Sequence, residues 1–365
     1  MTQHKTVVLY PSLGVGHLNP MVELAKLFLR RGHAVIIAVV NPPDKDAVSA
    51  DAVARLAAAN PAITFRLLLA PSSCSEEDHF SSPILKTIDV LRRANAELRE
   101  LLRALPAVDA LVVDMFCVDA LDVAADLAIP AYFLYASAVG DLAIMFHLPY
   151  YYPAAPSSFK DMGTTPLHFP GVPPIRALDM STTMLDRESD IAKERLRQYT
   201  RMPEARGFLA NSFDWLESRA LEALRGFVVK NWAPQAEVLQ HGAVGAFVTH
   251  CGWNSVLEGI VSGVPMICWP LYAEQRMNKV HVVEEMKVGV TMDGYEKEIV
   301  KAEDVEAKVR LVMESEEGNK LRKRLSVAKK MAADALKKGG SSDVAFEEFL
   351  RDLEKCSSDS NKKTM

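Results

Sequence analysis

Apolar and polar positions along the chain fall into blocks of two different periods. TVVLY near the N-terminus is a short apolar run, PSLGVGHLN a glycine-containing loop, and PMVELAKLFLRR carries apolar residues at helical spacing. Pro20 suits a first helical turn and Gly32 a C-terminal cap. HAVIIAVV is apolar without interruption, as a strand covered on both faces of a parallel sheet must be. The alternation continues with ITFRLLL as a third strand and ILKTIDVLRRANAELRELLRAL as a long amphipathic helix. ALVVD then reads as a fourth strand, VDALDVAADLA as a helix, and AYFLY as a strand after Pro130. Strands alternating with helices predict an open, doubly wound α/β sheet.

Residues 150–179 are rich in Pro, Tyr, Ser and Gly and read as a loop over that sheet. FLANSF, 208–213, reads as a further strand of the same domain, followed by the short helix WLESRALEAL. A second α/β series follows, with FVVKNW, AFVTH, MICWP and GVTM as strands. From about Ala302 the chain is charged amphipathic helix, and the final SSDSNKKTM reads as disordered. The expected organisation is a first domain over 1–225, a second over 226–340, and a C-terminal helix and polar tail over 341–365.

A chain of 365 residues suits two domains at roughly 150 residues each. Its 49% hydrophobic and 24% charged residues are those of a globular protein with more than one core. A net charge of −5 and no long basic stripe argue against a nucleic-acid partner. The N-terminus has no charged start followed by a long apolar core, and no apolar run reaches the ~20 residues that cross a bilayer. Five scattered cysteines form no C-x-x-C pair, so neither a disulfide framework nor a structural zinc site is expected. The reading is of a cytoplasmic monomer.

The chemistry concentrates at HCGWNS, residues 250–255. AFVTH ends a buried strand and SVLEGIVSG starts a helix that Gly263 can end. The loop between them, turning at Gly252, brings backbone N–H groups and a positive helix end to one point, which suits phosphate. His250, Asn254 and Ser255 add side-chain donors. A plainer reading makes Ser255 and Glu258 a capping box and nothing more. Trp232 follows the preceding strand, where an indole face can stack on a nucleobase. Glu274 and Gln275 follow the next strand, where they can bind sugar hydroxyls. A base platform, a phosphate site and a polyol clamp then line the carboxyl ends of successive strands, where such folds hold nucleotides.

The segment WAPQAEVLQHGAVGAFVTHCGWNSVLEGIVSGVPMICWPLYAEQ, 232–275, resembles the signature box of plant family 1 UDP-glycosyltransferases, in register and without gaps. VVLYPSLGVGHLNPMVELAKLFLRRGH is also similar to that family, in particular to its flavonoid- and phenol-glucosylating members. The resemblance implies a GT-B fold of two facing Rossmann-like domains, with the acceptor in the first and the UDP-sugar mainly in the second. It implies that Trp232 stacks on uracil, that the Ala233 backbone hydrogen-bonds it, and that Gln235 and Glu258 hold the ribose. It further implies that His250, Asn254 and Ser255 hold the diphosphate, that Trp253, Glu274 and Gln275 hold the hexose, and that Gly252 is part of the same UDP-sugar site. The acid at 274 followed by Gln points to glucose. No cofactor or metal is implied; the partners are UDP-glucose and a small phenolic acceptor.

The reaction needs a base. His17 lies after the first strand and Asp114 at the end of ALVVD, so both reach one rim of the sheet. A carboxylate on one imidazole nitrogen fixes the tautomer and supports the proton taken up by the other. Singly, His17 could be a solvent-exposed loop histidine and Asp114 a helix cap. The resemblance implies His17 as base and Asp114 as its partner, with inversion at the anomeric carbon. Phe116, Phe133, Met145, Phe146 and Tyr150 to Tyr152 are candidates for an aromatic acceptor pocket, with core packing an equal alternative for each. Gly14-x-Gly16 begins like a dinucleotide fingerprint, but Asn19 stands where the third glycine belongs and no acid ends the second strand. Asp44-Lys45-Asp46 reads as a solvated turn, and His241 with His250 lacks a third metal ligand.

Against the family, the chain is short of a segment at Arg225–Gly226. The linker, the first strand of the second domain with its phosphate loop, a helix and a further strand are absent. Only four strands follow residue 225, against six in a complete doubly wound sheet. At ~4.8 Å per strand, losing two leaves a gap of about 10 Å between FVVKN and AFVTH, or forces re-pairing. The expected function is UDP-glucose-dependent transfer to a phenolic hydroxyl. The alternative is a truncated, non-catalytic product that at most binds acceptor.

Overall fold

The structure is a computed structural model that describes residues 6–41, 50–69, 82–223, 228–230, 239, 244–297 and 299–363. Its first sheet has seven parallel strands in the order β3-β2-β1-β4-β5-β8-β9. These are β1 (Thr6–Tyr10), β2 (Ala34–Asn41), β3 (Thr64–Leu69), β4 (Ala110–Asp114), β5 (Ala131–Tyr135), β8 (Gly207–Ala210) and β9 (Val228–Lys230). The connecting helices are α1 (Val15–Arg30), α2 (Ala50–Ala59), α3 (Pro83–Ala104), α4 (Ala120–Asp126), α5 (Val139–Ala154), α6 (Phe159–Met162), α7 (Asp190–Arg201) and α8 (Asp214–Ala223). A two-residue antiparallel ladder joins β6 (Pro166–Leu167) to β7 (Ile175–Arg176). Successive strand residues point to opposite faces. Val8 and Tyr10 therefore join the core beneath α3, α4 and α5, while Val7 and Leu9 join the core beneath α1.

A second sheet has three parallel strands in the order β10-β11-β12: β10 (Phe247–Thr249), β11 (Met266–Cys268) and β12 (Gly289–Thr291). Around it lie α9 (Trp253–Ser262), α10 (Gln275–Val280), a π-helical turn at His281–Glu285, α11 (Ala302–Glu314), α12 (Glu316–Leu336) and α13 (Ser341–Lys363). Gly263 ends α9 in the left-handed region at φ 77°, as its sequence position predicts. One face of this sheet packs through Met266 and Cys268 onto a core that includes Ala138, Phe213 and Leu216 of the first domain. The other face packs through Ile267 and Val290 onto Val312 and Leu321.

Four expectations change. The strand expected to open the second domain lies instead at the edge of the first sheet, where Val228–Lys230 pair in parallel with Phe208–Ala210. The segment completes its backbone hydrogen bonds on the open edge beside β8. α1 starts at Val15, so Pro20 is inside the helix and His17 is in its first turn. Residues 150–154 are not loop but the end of α5, a helix buried from Val139 to Met145 and exposed over its last turn at Tyr150, Pro153 and Ala154. The C-terminal segment is helical through Lys363, and its Phe346, Phe349 and Leu353 are buried in the core of the first domain.

Candidate active site in the cleft between the two sheets

β1 and β4 are adjacent and parallel, so the residues just beyond their carboxyl ends share one rim. His17 Nδ1 donates to Asp114 Oδ2 at 2.8 Å. The Asp114 carboxylate is buried, and its Oδ1 accepts from the backbone N–H of Phe116 at 3.0 Å. The imidazole remains 30% exposed, so its second nitrogen can meet a ligand. Burial alone pulls the His17 pKa down, but the charge and hydrogen bond of Asp114 and the charge of Glu274 outweigh it. The net shift is upward from 6.5.

Phe116 sets its edge against the His17 ring at 5.4 Å. Of the aromatic candidates it is the one in contact with the dyad. Phe133 is sealed in the core, stacked on Phe208 at 5.3 Å, and Phe146 meets the same Phe208 ring edge-on. Met145 is buried, and its sulfur accepts from the Tyr135 hydroxyl at 3.1 Å. For Phe133 and Met145 the packing alternative is the one realised, because both point into the sheet–helix layer. Tyr152 is likewise buried, whereas Tyr150 stands in solvent.

α9 is capped by Gly252, with no side-chain hydrogen bond to its first turn. The Ser255–Glu258 capping box is thus not formed; Ser255 sits inside the helix. A Cβ on Gly252 would come within 2.5 Å of His250 Nε2, so glycine here lets the imidazole lie across the helix start. Trp253 is buried and its Nε1 donates to the Asn211 carbonyl at 2.9 Å. Its indole ties the two domains together, which leaves the backbone N–H for a ligand. Asn254 and Glu258 line a cavity of about 330 Å³ faced across the cleft by Asn19, Glu23 and Lys26 of α1. Burial raises the Glu258 pKa.

Gln275 is buried, and its Oε1 accepts from the N–H groups of Leu271 and Tyr272 at 2.9 Å each, shaping the loop that carries Glu274. The Glu274 carboxyl is raised by burial and by the charge of Asp141, with His17 pulling the other way. Glu274 and His17 influence each other's titration, so the two groups lie near one another in the cleft. Trp232, Ala233 and Gln235 lie outside the described residues, as do Asp44-Lys45-Asp46 and His241. Among the described residues no group of three His, Cys, Asp or Glu side chains could hold a metal ion.

Two features escaped the sequence. Arg195 of α7 is buried with its guanidinium 4.5 Å from the Phe116 ring, and Gln198 donates to the Phe116 carbonyl at 3.3 Å. Both sit in a helix whose charged composition reads as solvated. Between the domains, buried His281 lies 3.5 Å from Asp141 and 3.1 Å from Glu285. Glu217 completes that cluster, accepting from the Ser212 hydroxyl at 2.6 Å and the Gly140 N–H at 2.9 Å. A Cβ on Gly140 would overlap the His281 ring, so that glycine admits the imidazole.

The family described as UDP-glucuronosyl and UDP-glucosyl transferase matches residues 212–331. The chain is 31% identical to an anthocyanidin 5,3-O-glucosyltransferase of a Rosa hybrid cultivar, over 92% of this chain and 96% of that one. It is 30% identical to UDP-glycosyltransferase 88B1 of Stevia rebaudiana, over 93% and 97% respectively. The first comparison spreads 92% of 365 residues over 458 aligned positions, so the relative carries considerable sequence that this chain lacks. Phytolacca americana UGT2, solved with UDP-2-fluoro-glucose and pterostilbene, superposes with a TM-score of 0.86 at 26% identity, over 96% of this chain and 100% of that one. The GT-B architecture is the one this chain adopts.

Proposed function

The chain belongs to the plant UDP-glycosyltransferases, and from that premise we propose that it transfers glucose from UDP-glucose to a hydroxyl of a small phenolic or flavonoid acceptor. The observation that carries this reading is the 2.8 Å bond between His17 and Asp114, with the charge of Glu274 near enough to raise the His17 pKa. In it, the second nitrogen of His17 takes the proton from the acceptor hydroxyl as its oxygen attacks the anomeric carbon. The C–O bond to UDP breaks on the opposite side, the product is a β-glucoside, and Asp114 stabilises the imidazolium formed. The diphosphate is met by the start of α9 with His250, Asn254 and Ser255, without a metal ion. Trp253 (through its backbone, since its indole is bonded to Asn211), Glu274 and Gln275 hold the hexose, and Trp232, Ala233, Gln235 and Glu258 hold the uridine. A cytoplasmic monomer is part of the same reading; no helix among the described residues is long and apolar enough to cross a membrane.

A second reading is favoured by β10, which has no partner on its outer side among the described residues, and by β9, which has joined the other sheet. In that reading the chain binds acceptor and does not turn over. Incubating the purified chain with UDP-glucose and pterostilbene, with and without chelator, separates the two. Chelator-insensitive formation of a β-glucoside supports transfer. Acceptor binding without UDP release leaves the second reading.

A further inference from the structure

The three arginines of α7 have different fates. Arg197 pairs with Asp119 and Glu194, and Arg201 pairs with Asp119, Asp122 and Glu204. Arg195 points the other way, into the protein, and is 2% exposed. It donates to the carbonyl oxygen of the Gln198 side chain and, at 3.2 Å, to the Tyr199 hydroxyl. Among the described residues no carboxylate lies within ion-pair distance of it. Its neighbour Glu194 is engaged by Arg92 and Arg197 on the outer surface. Asp114, the acid of the dyad, is held by His17 and the Phe116 N–H.

A buried guanidinium without a counter-charge is costly, and arginine stays protonated at any pH of interest. Stacking on Phe116 and Tyr199, at 4.5 and 4.7 Å, offsets part of that cost. Neutral hydrogen bonds to Gln198 and Tyr199 orient the fork and leave its Nη2 without a protein acceptor among the described residues. Phe116 separates this cation from the base, because its other contact is the His17 ring at 5.4 Å. The guanidinium and the base thus share one phenyl ring and lie no more than about 10 Å apart.

We propose that Arg195 is a specificity determinant on the acceptor side of the cleft. It would recognise aromatic hydroxy compounds that carry an anionic group, such as a carboxylate, across the ring from the hydroxyl presented to His17. The proposal rests on the transferase reading for the role of His17, but its recognition half does not need turnover. The charge of Arg195 also pulls the His17 pKa down, so an acceptor anion that neutralises it leaves His17 the stronger base.

The test compares 4-hydroxybenzoate with its uncharged methyl ester, bound to the full chain in the presence of UDP and followed by calorimetry near pH 7. The wild-type chain should bind the acid about tenfold or more tightly than the ester, as expected for a charge-assisted hydrogen bond. Arg195→Gln should abolish that preference while leaving affinity for the ester and for UDP unchanged, which also shows that the variant is folded. Arg195→Lys, which keeps the charge and loses the planar fork, should retain part of it. Equal binding of acid and ester by the wild type, binding of neither, or a preference that survives in Arg195→Gln would overturn the proposal. Failure of glucose transfer with an intact acid preference would instead count against the transferase reading alone.

Discussion

His17 and Asp114 stand 97 residues apart in the chain and meet through one 2.8 Å hydrogen bond, because the strands that precede them are neighbours in the sheet. General-base catalysis by a positioned histidine contributes on the order of 10²–10⁴ in rate. His17→Ala should lower kcat/KM by that range with UDP affinity unchanged. Asp114→Asn should cost less, since an amide still orients the ring but carries no charge. The base must be neutral to act, and its pKa is raised from 6.5. The acid limb of the kcat/KM profile should accordingly lie above that value in the wild type and move down in Asp114→Asn. An acid limb unmoved by the substitution would show that the carboxylate does not tune the base.

The cluster around His281 gives a second pH dependence, in stability. Burial would lower the His281 pKa, but Asp141 and Glu285 beside it and the charge of Glu217 lift it to about 10. A histidine whose folded pKa exceeds its unfolded value of about 6.5 stabilises fully below the lower value. That contribution is lost as pH rises through about 10. Glu217, raised to about 7 chiefly by burial, adds a loss of the same sign between its unfolded range and about 7. Thermal melting of the wild type should therefore fall steadily from pH 5 to pH 10. His281→Asn leaves the buried Asp141 and the half-buried Glu285 without their cation, so it should be destabilised by about 3–5 kcal/mol at neutral pH. Its melting point should then depend less on pH above 7. A variant with the wild-type slope would exclude His281 as the source.

What was legible in the sequence followed from local signals. The apolar runs of β1, β2, β4 and β5 and the left-handed Gly263 were visible because each depends on a few neighbouring residues. The dyad was visible because strand ends of one parallel sheet share a rim. Arg195 was not, since α7 is dominated by charge and only tertiary packing decides which arginine turns inward. The pairing of Val228–Lys230 was not legible either, because a short apolar run carries no mark of the sheet that accepts it. Phe133 and Phe116 have the same residue type near strand ends, and only the fold separates the core ring from the one against His17.

α13 offers a test of how the C-terminus supports the distant first domain. Phe349 packs edge-on against Tyr132 at 4.6 Å and lies beside Phe28, with Phe346 adjoining. Outside this apolar patch Arg206 grips Asp352 through two bonds of 2.6 Å, and Arg31 reaches Asp343 and Glu347. Removing a buried phenylalanine ring costs about 3–5 kcal/mol. Phe349→Ala should destabilise the first domain by that amount in urea, whereas Arg206→Ala should cost clearly less because its pair is exposed. If Phe349→Ala unfolds at the wild-type denaturant midpoint, the helix is not part of the cooperative unit.

The two sheets should differ in their resistance to opening. In the seven-stranded sheet β1, β4, β5 and β8 each have neighbours on both sides, and their residues are buried in cores on both faces. In the three-stranded sheet only β11 has two neighbours among the described residues. β10 stands at an edge, with Val248 46% exposed and its described backbone bonds directed to β11 alone. A strand edge without a partner opens more readily, and exchange of its amides with solvent reports the local free energy of that opening. Each buried amide left without a partner costs about 1–3 kcal/mol, a large share of a typical total of about 5–15 kcal/mol. Hydrogen exchange should therefore be slowest in β1, β4 and β5 and faster in β10 and β12. Binding of UDP to the start of α9 should slow exchange in the second sheet more than in the first, because a ligand stabilises the state it binds. Equal protection in both sheets without ligand would mean that the second has closed its open edge by other means. In that case the case for a weakened donor-binding half would fall with it.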